Sequence, residues 1–294
     1  MKQAILITAY KNEKQIYDII NYFGSDFEFY IHIDKKSSIN LSEYWDRRNV
    51  NVYKIFITNY GSVNHLRAIL FLSKEALKKN NNGYFHLITG QDFPVKTKDY
   101  FSDELNTGKD YLEYFEMPSK SWPHGGMDRI EYYNFYDFLD CKKIIYVRFI
   151  HMFLKIQKLL KIKRKRTLGG FFKKLYGGST YWSLTRDSLQ YVVNSTNENI
   201  MNSMKYTYCA EEIYFQTVLL NSTFAENIVN DNLRYIVWNR DNGGSPAYLD
   251  ETDYCKIKSS NKIFARKFHE RKSEKLKAQL LTEVKCGDKC HFGS

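Results

Sequence analysis

Three features of the sequence predict an α/β fold with a mostly parallel central sheet flanked by helices. Short apolar runs alternate with amphipathic stretches through the first hundred residues, the rhythm of strands joined by helical crossovers. The apolar runs end in polar or charged residues, at Ala9-Tyr10, Asp34-Lys35-Lys36 and Gln91-Asp92, where open sheets of this kind hold their ligands. The glycine fingerprints of the commoner nucleotide folds are missing. No G-x-G-x-x-G follows the first strand, and no G-x-x-x-x-G-K-[ST] occurs anywhere.

The elements follow in order. Residues 4–9 (Ala-Ile-Leu-Ile-Thr-Ala) form a buried strand, and the amphipathic stretch 13–23 forms a helix. Residues 27–34 are a second strand closed by an acid, and 52–57 a third. Apolar positions at Leu66, Ile69, Leu70, Leu72, Ala76 and Leu77 mark a helix over 62–79. Residues 84–89 are a fourth strand, followed by the loop Gly90-Gln91-Asp92-Phe93-Pro94. Residues 142–166 mix bulky apolar side chains with cations and read as one helix, with Phe149, Met152, Phe153, Ile156, Leu159 and Leu160 opposite Lys155, Lys158 and Lys161. Such a composition suits either a helix in an anionic membrane interface or one packed on its own domain with a solvated basic face. Gly177-Gly178-Ser179 leads into a strand over 180–184, the Glu211-Glu212 pair opens a helix-like run, and 233–238 is a further strand before the turn Gly243 to Pro246. No repeat or clear domain boundary divides the chain. It reads as one domain, with a donor half to about residue 110, a catalytic half over 111–275 and a polar tail from 276 to 294.

Composition narrows the function. With 294 residues, 43% hydrophobic and 16% aromatic, the chain is globular rather than disordered. Its net charge of +11 is uneven, with nine Lys or Arg and no acid between Lys155 and Lys174. A basic face of this kind meets nucleic acid, anionic lipid or a phosphorylated substrate. No nucleic-acid recognition motif accompanies it, so no nucleic-acid partner is expected. Five widely spaced cysteines form no disulfide framework, which favours a reducing compartment. Cys286-x3-Cys290-His291 has ligand types for a metal but lies in polar surroundings, and no zinc is expected there. The short run Ala4-Ile5-Leu6-Ile7 is no signal peptide, and no apolar stretch is long enough to cross a bilayer.

Two segments carry chemistry. Glu211-Glu212 pairs two carboxylates, one of which can take a proton from a hydroxyl. Neighbouring residues on a helix diverge by about 100°, so the two face differently; Glu212 is assigned as base, with Glu211 orienting it or binding acceptor. Arg266-Lys267, flanked by aromatics, can hold a departing diphosphate, Arg as a fork and Lys as a point charge. The chain contains no Asp-x-Asp, the carboxylate pair through which many nucleotide-sugar transferases hold a divalent cation. Side-chain charge would then replace the metal.

Seven segments in order match a known family. They are residues 31–37 (Ile-His-Ile-Asp-Lys-Lys-Ser), Tyr60-Gly61-Ser62, 87–94 (Leu-Ile-Thr-Gly-Gln-Asp-Phe-Pro), 177–182 (Gly-Gly-Ser-Thr-Tyr-Trp), Ala210-Glu211-Glu212, Leu233-Arg234-Tyr235-Ile236 with Trp238-Asn239-Arg240, and Phe264-Ala265-Arg266-Lys267-Phe268. The chain resembles the core-2/I-branching β-1,6-N-acetylglucosaminyltransferases and peptide O-xylosyltransferases, in a short bacterial form. The resemblance implies a GT-A-type fold and inverting transfer without metal or other cofactor. It implies Glu212 as catalytic base beside Glu211, and Arg266 and Lys267 as the diphosphate clamp. It places Asp34 and Lys36 near the uracil with Ala9 lining that pocket, Ser179 beneath the donor sugar, and Asp92 and Trp182 toward the acceptor. Two departures stand out: Cys209-Ala210-Glu211-Glu212 replaces the branching enzymes' Ser-Pro-Asp-Glu, and Thr180 stands where xylosyltransferases carry an acid, the second bearing on the sugar and acceptor.

These observations predict a UDP-sugar donor, with N-acetylglucosamine first and xylose or another hexose as alternatives. The acceptor is a glycan or lipid-linked glycan of surface-polysaccharide assembly, and the location cytoplasmic, peripheral on the plasma membrane through residues 142–174. A non-catalytic carbohydrate-binding relative is the alternative from another class.

Overall fold

The first strand decides the architecture. In β1 (Lys2–Ala9) Ile5 and Ile7 point to one face and Ala4 and Leu6 to the other, and all four are buried. A strand apolar on both faces must lie inside a sheet covered twice. The computed structural model of the protein, which describes residues 2–44, 46–103, 105 and 107–287, shows this.

Helix α1 (Glu13–Phe23) leads to β2 (Phe27–Ile33), then β3 (Val50–Tyr53), α2 (Val63–Leu77) and β4 (Asn82–Thr89). Next come β5 (Asp92–Pro94), α3 (Lys98–Asp103), β6 (Asp110–Glu116), α4 (Asp128–Glu131), α5 (Ile144–Leu159) and β7 (Tyr176–Thr185). The chain continues through α6 (Arg186–Ser195), α7 (Glu198–Met204), α8 (Tyr214–Leu220), β8 (Ile228–Val229) and β9 (Arg234–Ile236). It ends in α9 (Tyr254–Ser259), β10 (Phe264–Arg266) and α10 (Glu274–Gly287).

Seven strands form the main sheet in the order β3-β2-β1-β4-β7-β6-β8. β3, β2, β1 and β4 run parallel, β7 is antiparallel to β4 and to β6, and β8 is parallel to β6. The mixed α/β class predicted from the sequence is therefore present, with a mostly parallel sheet. One face packs on α1 and α10 around Phe23, Phe29, Phe93 and Phe264; the other packs on α2, α6 and α8 around Leu66, Phe85, Trp182 and Phe215. Strand order reverses direction between β1 and β4, so a ligand crevice is expected at their carboxyl ends.

A second, three-stranded sheet, β5-β10-β9, stands at that crevice. The residue after Gly90-Gln91, read as loop, opens β5 and pairs Asp92 with Arg266 of β10. A buried guanidinium ties the two sheets together. Arg234 of β9 donates to Ser183 Oγ (2.8 Å) and to the carbonyls of Leu87 (2.9 Å) and Trp182 (2.8 Å), on β7 and β4.

Several boundaries move. β3 ends at Tyr53 because Phe56 N then donates to the His32 ring (3.0 Å) instead of the β2 ladder. The basic helix stops at Leu159, and Lys161 beyond it takes a left-handed φ of 52°. The polar tail expected from residue 276 is corrected: α10 covers 274–287 and buries Leu276 and Leu280 in the core, while Lys277 pairs with Asp18. Cys290 and His291 of the cysteine-histidine motif lie outside the described residues. Among the described residues no helix is long and apolar enough to cross a membrane.

Candidate active site

The crevice is lined from its floor upward by the segment Thr8–Lys11, where β1 ends. Asp34 N donates to Ala9 O (2.8 Å) and Gly90 N to Thr8 O (3.1 Å), binding the ends of β2 and β4 to it. Two groups of charged side chains meet this segment.

The first is cationic. Arg266 is buried, its Nε 3.3 Å from Asp92 Oδ1, and its guanidinium lies 4.2 Å from the centre of the Tyr181 ring. Lys267 follows it, half-buried. Burial lowers the Lys267 pKa from the ordinary 10.5, and the charges of Arg266 and Lys11 lower it further, against a smaller opposing pull from Asp92. Arg266 and Lys267 are adjacent, Lys11 is near enough for its charge to act on Lys267, and Asp92 is the one carboxylate that acts against them. An anion is what such a cluster lacks. The sequence offered no pattern for Lys11, which lies in the turn after β1 and is brought in only by the long-range pairing of β10.

The second is acidic. Glu211 and Glu212 lie in a single 3-10 turn, Ala210–Glu212, rather than on the helix expected there; α8 begins at Tyr214. Cys209, just before it, takes a left-handed φ of 49°, held by its N–H to Gly61 O (3.0 Å). A non-glycine residue in that region costs on the order of 1–3 kcal/mol and is kept where surroundings impose it. Gly61 explains the Tyr60-Gly61-Ser62 motif: its φ is +77°, and a Cβ there would lie 2.3 Å from the Tyr208 ring.

The two carboxylates face different partners. Glu211 is buried and accepts from His65 Nδ1 (3.1 Å); His65 Nε2 in turn shares a hydrogen bond with the Thr8 hydroxyl (3.1 Å). Glu212 accepts from Arg129 at Oε2 (2.6 Å), and its side chain keeps 28% of its surface. No other hydrogen bond reaches the Glu212 carboxylate among the described residues, which leaves Oε1 open. Arg129 lies flat on Trp122, 3.6 Å from the ring centre. Burial first, and then the charge of Glu211, push the Glu212 pKa up to about 6, while Arg129 opposes them. Arg129→Met therefore moves the Glu212 midpoint upward, readable by carboxyl carbon NMR titration. An unmoved midpoint removes Arg129 from this role.

The remaining predicted residues divide. Ser179 lies on β7, its carbonyl accepting from Gln216 Nε2 (2.6 Å). The strand passes so close to β6 that a Cβ on Gly178 would sit 1.9 Å from Glu113 O, which accounts for glycine before this serine. Asp34 sits at the end of β2, its Oδ1 accepting from Lys36 N (3.0 Å) and Thr58 N (3.3 Å). Lys36 reaches Asp140 (2.7 Å) at the rim. Ala9 is buried at the floor.

Two assignments are corrected. Trp182 is fully buried and stacks on Phe215 with centres 5.1 Å apart, so it belongs to the core rather than to an acceptor surface. Alternation on β7 sends it to the face opposite the crevice-side residues. Asp92 is also fully buried. It accepts from Thr89 Oγ1 (3.0 Å) and faces Arg266, with no surface open for an acceptor to touch.

A family model described as Core-2/I-Branching enzyme matches residues 6–263. Xylosyltransferase 2 of Rattus norvegicus is 27% identical over 241 residues, covering 77% of this chain and 25% of its own length. Xylosyltransferase 1 of Mus musculus is 26% identical over 262 residues, covering 84% of this chain and 25% of its own. The chain thus spans about a quarter of the length of these relatives. Among solved structures, a 4-diphosphocytidyl-2C-methyl-D-erythritol synthase aligns over 72% of this chain and 91% of its own, at 7% identity and a TM-score of 0.33.

Proposed function

We propose that this chain, which belongs to the Core-2/I-branching enzyme family, is an inverting glycosyltransferase that moves a sugar from a UDP-sugar to a glycan hydroxyl without a metal ion. The observation that carries the reading is the meeting of both charge groups at Thr8–Lys11. The carboxylate turn reaches this segment through His65 and Thr8. The cations reach it through β10, which pairs Arg266 with Asp92, and through Phe268 N, which donates to Gln91 O; both partners follow Gly90, whose N–H binds Thr8 O.

The chemistry follows from the two groups. Glu212 Oε1 takes the proton of the acceptor hydroxyl, whose oxygen attacks the anomeric carbon. The bond from that carbon to the diphosphate oxygen breaks on the opposite side, and UDP leaves with the electron pair. One displacement inverts the centre. Arg266, Lys267 and Lys11 meet the charge that grows on the diphosphate, placed in advance where water is scarce. Ala9, Asp34 and Lys36 hold the uracil end, and Ser179 lies under the sugar. N-acetylglucosamine is the first donor sugar in this reading. The names of the relatives, xylosyltransferases, make xylose the alternative. The acceptor belongs to surface-polysaccharide or lipid-linked oligosaccharide assembly on the cytoplasmic face of a bacterial plasma membrane.

Thermal stabilisation of the purified protein by UDP, UDP-N-acetylglucosamine, UDP-xylose and UDP-glucose, each with EDTA and with Mn²⁺, tests this. One sugar nucleotide should raise Tm selectively with EDTA present, the added stability reaching about 2.7 kcal/mol at a hundredfold excess over Kd. A shift that needs Mn²⁺ refutes the metal-free clamp, and no shift with any nucleotide refutes the donor class.

A further inference from the structure

Helix α5 presents an apolar stripe to solvent. Ile145, Phe149, Met152, Ile156 and Leu159 recur at helical spacing along one side and are 40–82% exposed. Of the sixteen residues of α5 only Ile150 and Gln157 are buried. Gln157 anchors the helix inward, its amide exchanging bonds with Tyr133 N (2.8 Å) and O (3.0 Å). Beside the stripe, at helical angles away from that anchor, stand Arg148, His151 and Lys155, all exposed. Exposed cations continue past the helix at Lys161, Lys165 and Arg166. A continuous apolar stripe left open on a folded surface marks an interaction site.

The helix also borders the crevice. Just before it, Asp140 pairs with Lys36 (2.7 Å), and Lys142 lies 4.6 Å from the centre of the Tyr10 ring at the end of β1. In its last turn Lys158 pairs with Asp128, the residue before Arg129, which holds Glu212. Sixteen residues span about 24 Å, so the helix runs along the mouth from the donor end to the base.

We infer that α5 lies in the interface of an anionic membrane, its stripe among the acyl-chain ends and its cations on the headgroups, so that the crevice opens at the lipid surface. This rests on the glycosyltransferase reading only in what it says of the acceptor: a hydroxyl carried on a lipid and delivered within headgroup depth. Charge decides between occupants of the stripe. An anionic bilayer complements a flank of cations and a following segment with no acid from Lys155 to Lys174. A second copy brings the same uncompensated cations to the same seam, between molecules that each carry +11.

Flotation of the full chain with phosphatidylcholine vesicles, with and without about one-third phosphatidylglycerol, tests the surface. The protein should float with the anionic vesicles only, and detach in part between about 0.1 M and about 0.5 M salt. Phe149→Ser with Met152→Ser, and separately Lys155→Glu, Lys161→Glu and Lys165→Glu together, should each lower partitioning about tenfold or more. These side chains are exposed, and UDP-induced stabilisation of the same samples reports that the fold and the donor site survive. Undiminished binding by both variants overturns the inference. So does a dimer in size-exclusion chromatography that the Phe149→Ser, Met152→Ser variant converts to monomer. A UDP shift without vesicle binding removes the membrane surface alone. Vesicle binding without a UDP shift removes the donor reading alone.

Discussion

Glu212→Gln leaves UDP binding unchanged and lowers transfer by about 10²–10⁴-fold, the range a positioned base supplies. Donor binding and proton removal use different side chains, so the loss falls on kcat with Kd for UDP intact. The amide keeps an oxygen for Arg129 to donate to at Oε2, so the turn stays in place. Glu211→Gln separates the neighbours: it weakens the His65 contact and removes the charge that helps raise the Glu212 pKa, so it moves the pH profile more than the plateau. The sign of the profile is fixed by the same shift. A base works deprotonated, and burial and Glu211 hold Glu212 protonated up to about 6. Transfer by the wild-type chain should therefore fall as pH drops through about 6, well above the ordinary 4.5 of a glutamate. Stability runs the other way. The raised pKa favours the folded state most below 4.5, and that contribution fades as pH rises through 6. A profile flat between pH 5 and 7, or full turnover in Glu212→Gln, would remove Glu212 from the base role.

The sequence shows the parts of this protein whose partners are close along the chain. β1 and β2 are legible because both faces are apolar, and α1 because its apolar side repeats within eleven residues. The acids after β2 and β4 are legible as strand ends, but not that both Asp34 and Asp92 are buried there. What depends on distant pairing is not. β5 is three residues long, and only β10, some 170 positions on, makes it a strand. The resemblance places Trp182 toward the acceptor, and only the register of β7 against β6 and β4 shows which face it takes. His65 reads as one more polar position on an amphipathic helix until Glu211, 146 residues later, comes within hydrogen-bond reach. The 3-10 turn at Ala210–Glu212 hides for another reason. Its cause is a left-handed Cys209, a residue whose preferences give no hint of that conformation. Motif matching did find what physics alone could not. Gly61 and Gly178 are glycines because Tyr208 and Glu113 leave no room for a Cβ, contacts that exist only after folding.

Lys267→Ala and Arg266→Ala should both weaken UDP binding by about 10–100-fold, the loss of one or two charge-assisted contacts to phosphate, yet shift the stability of the free protein in opposite directions. Lys267 has no ion-pair partner among the described residues and sits beside Arg266 and Lys11, which lower its pKa after burial has done so. Removing it relieves like-charge crowding, so the free protein melts higher. Arg266 is buried against Asp92, which is itself fully enclosed. Removing it strands a carboxylate in the core and costs about 3–5 kcal/mol, so the free protein melts lower. The pH dependence checks the cause. A lysine with a lowered folded pKa binds its proton less well folded than unfolded, so stability of the free protein rises with pH through the window just below 10.5. The gain in Tm from UDP should shrink over that same window as the clamp gives up its charge, and Lys267→Ala should flatten both trends. Melting curves of the two variants, with and without UDP in EDTA, decide the point. If Lys267→Ala destabilises the free protein as much as Arg266→Ala does, the residue is a structural cation and the clamp is wrongly drawn. If it melts higher and has lost its response to UDP, the three cations at Thr8–Lys11 are an anion site held open at a cost to stability, which is the arrangement that release of a diphosphate requires.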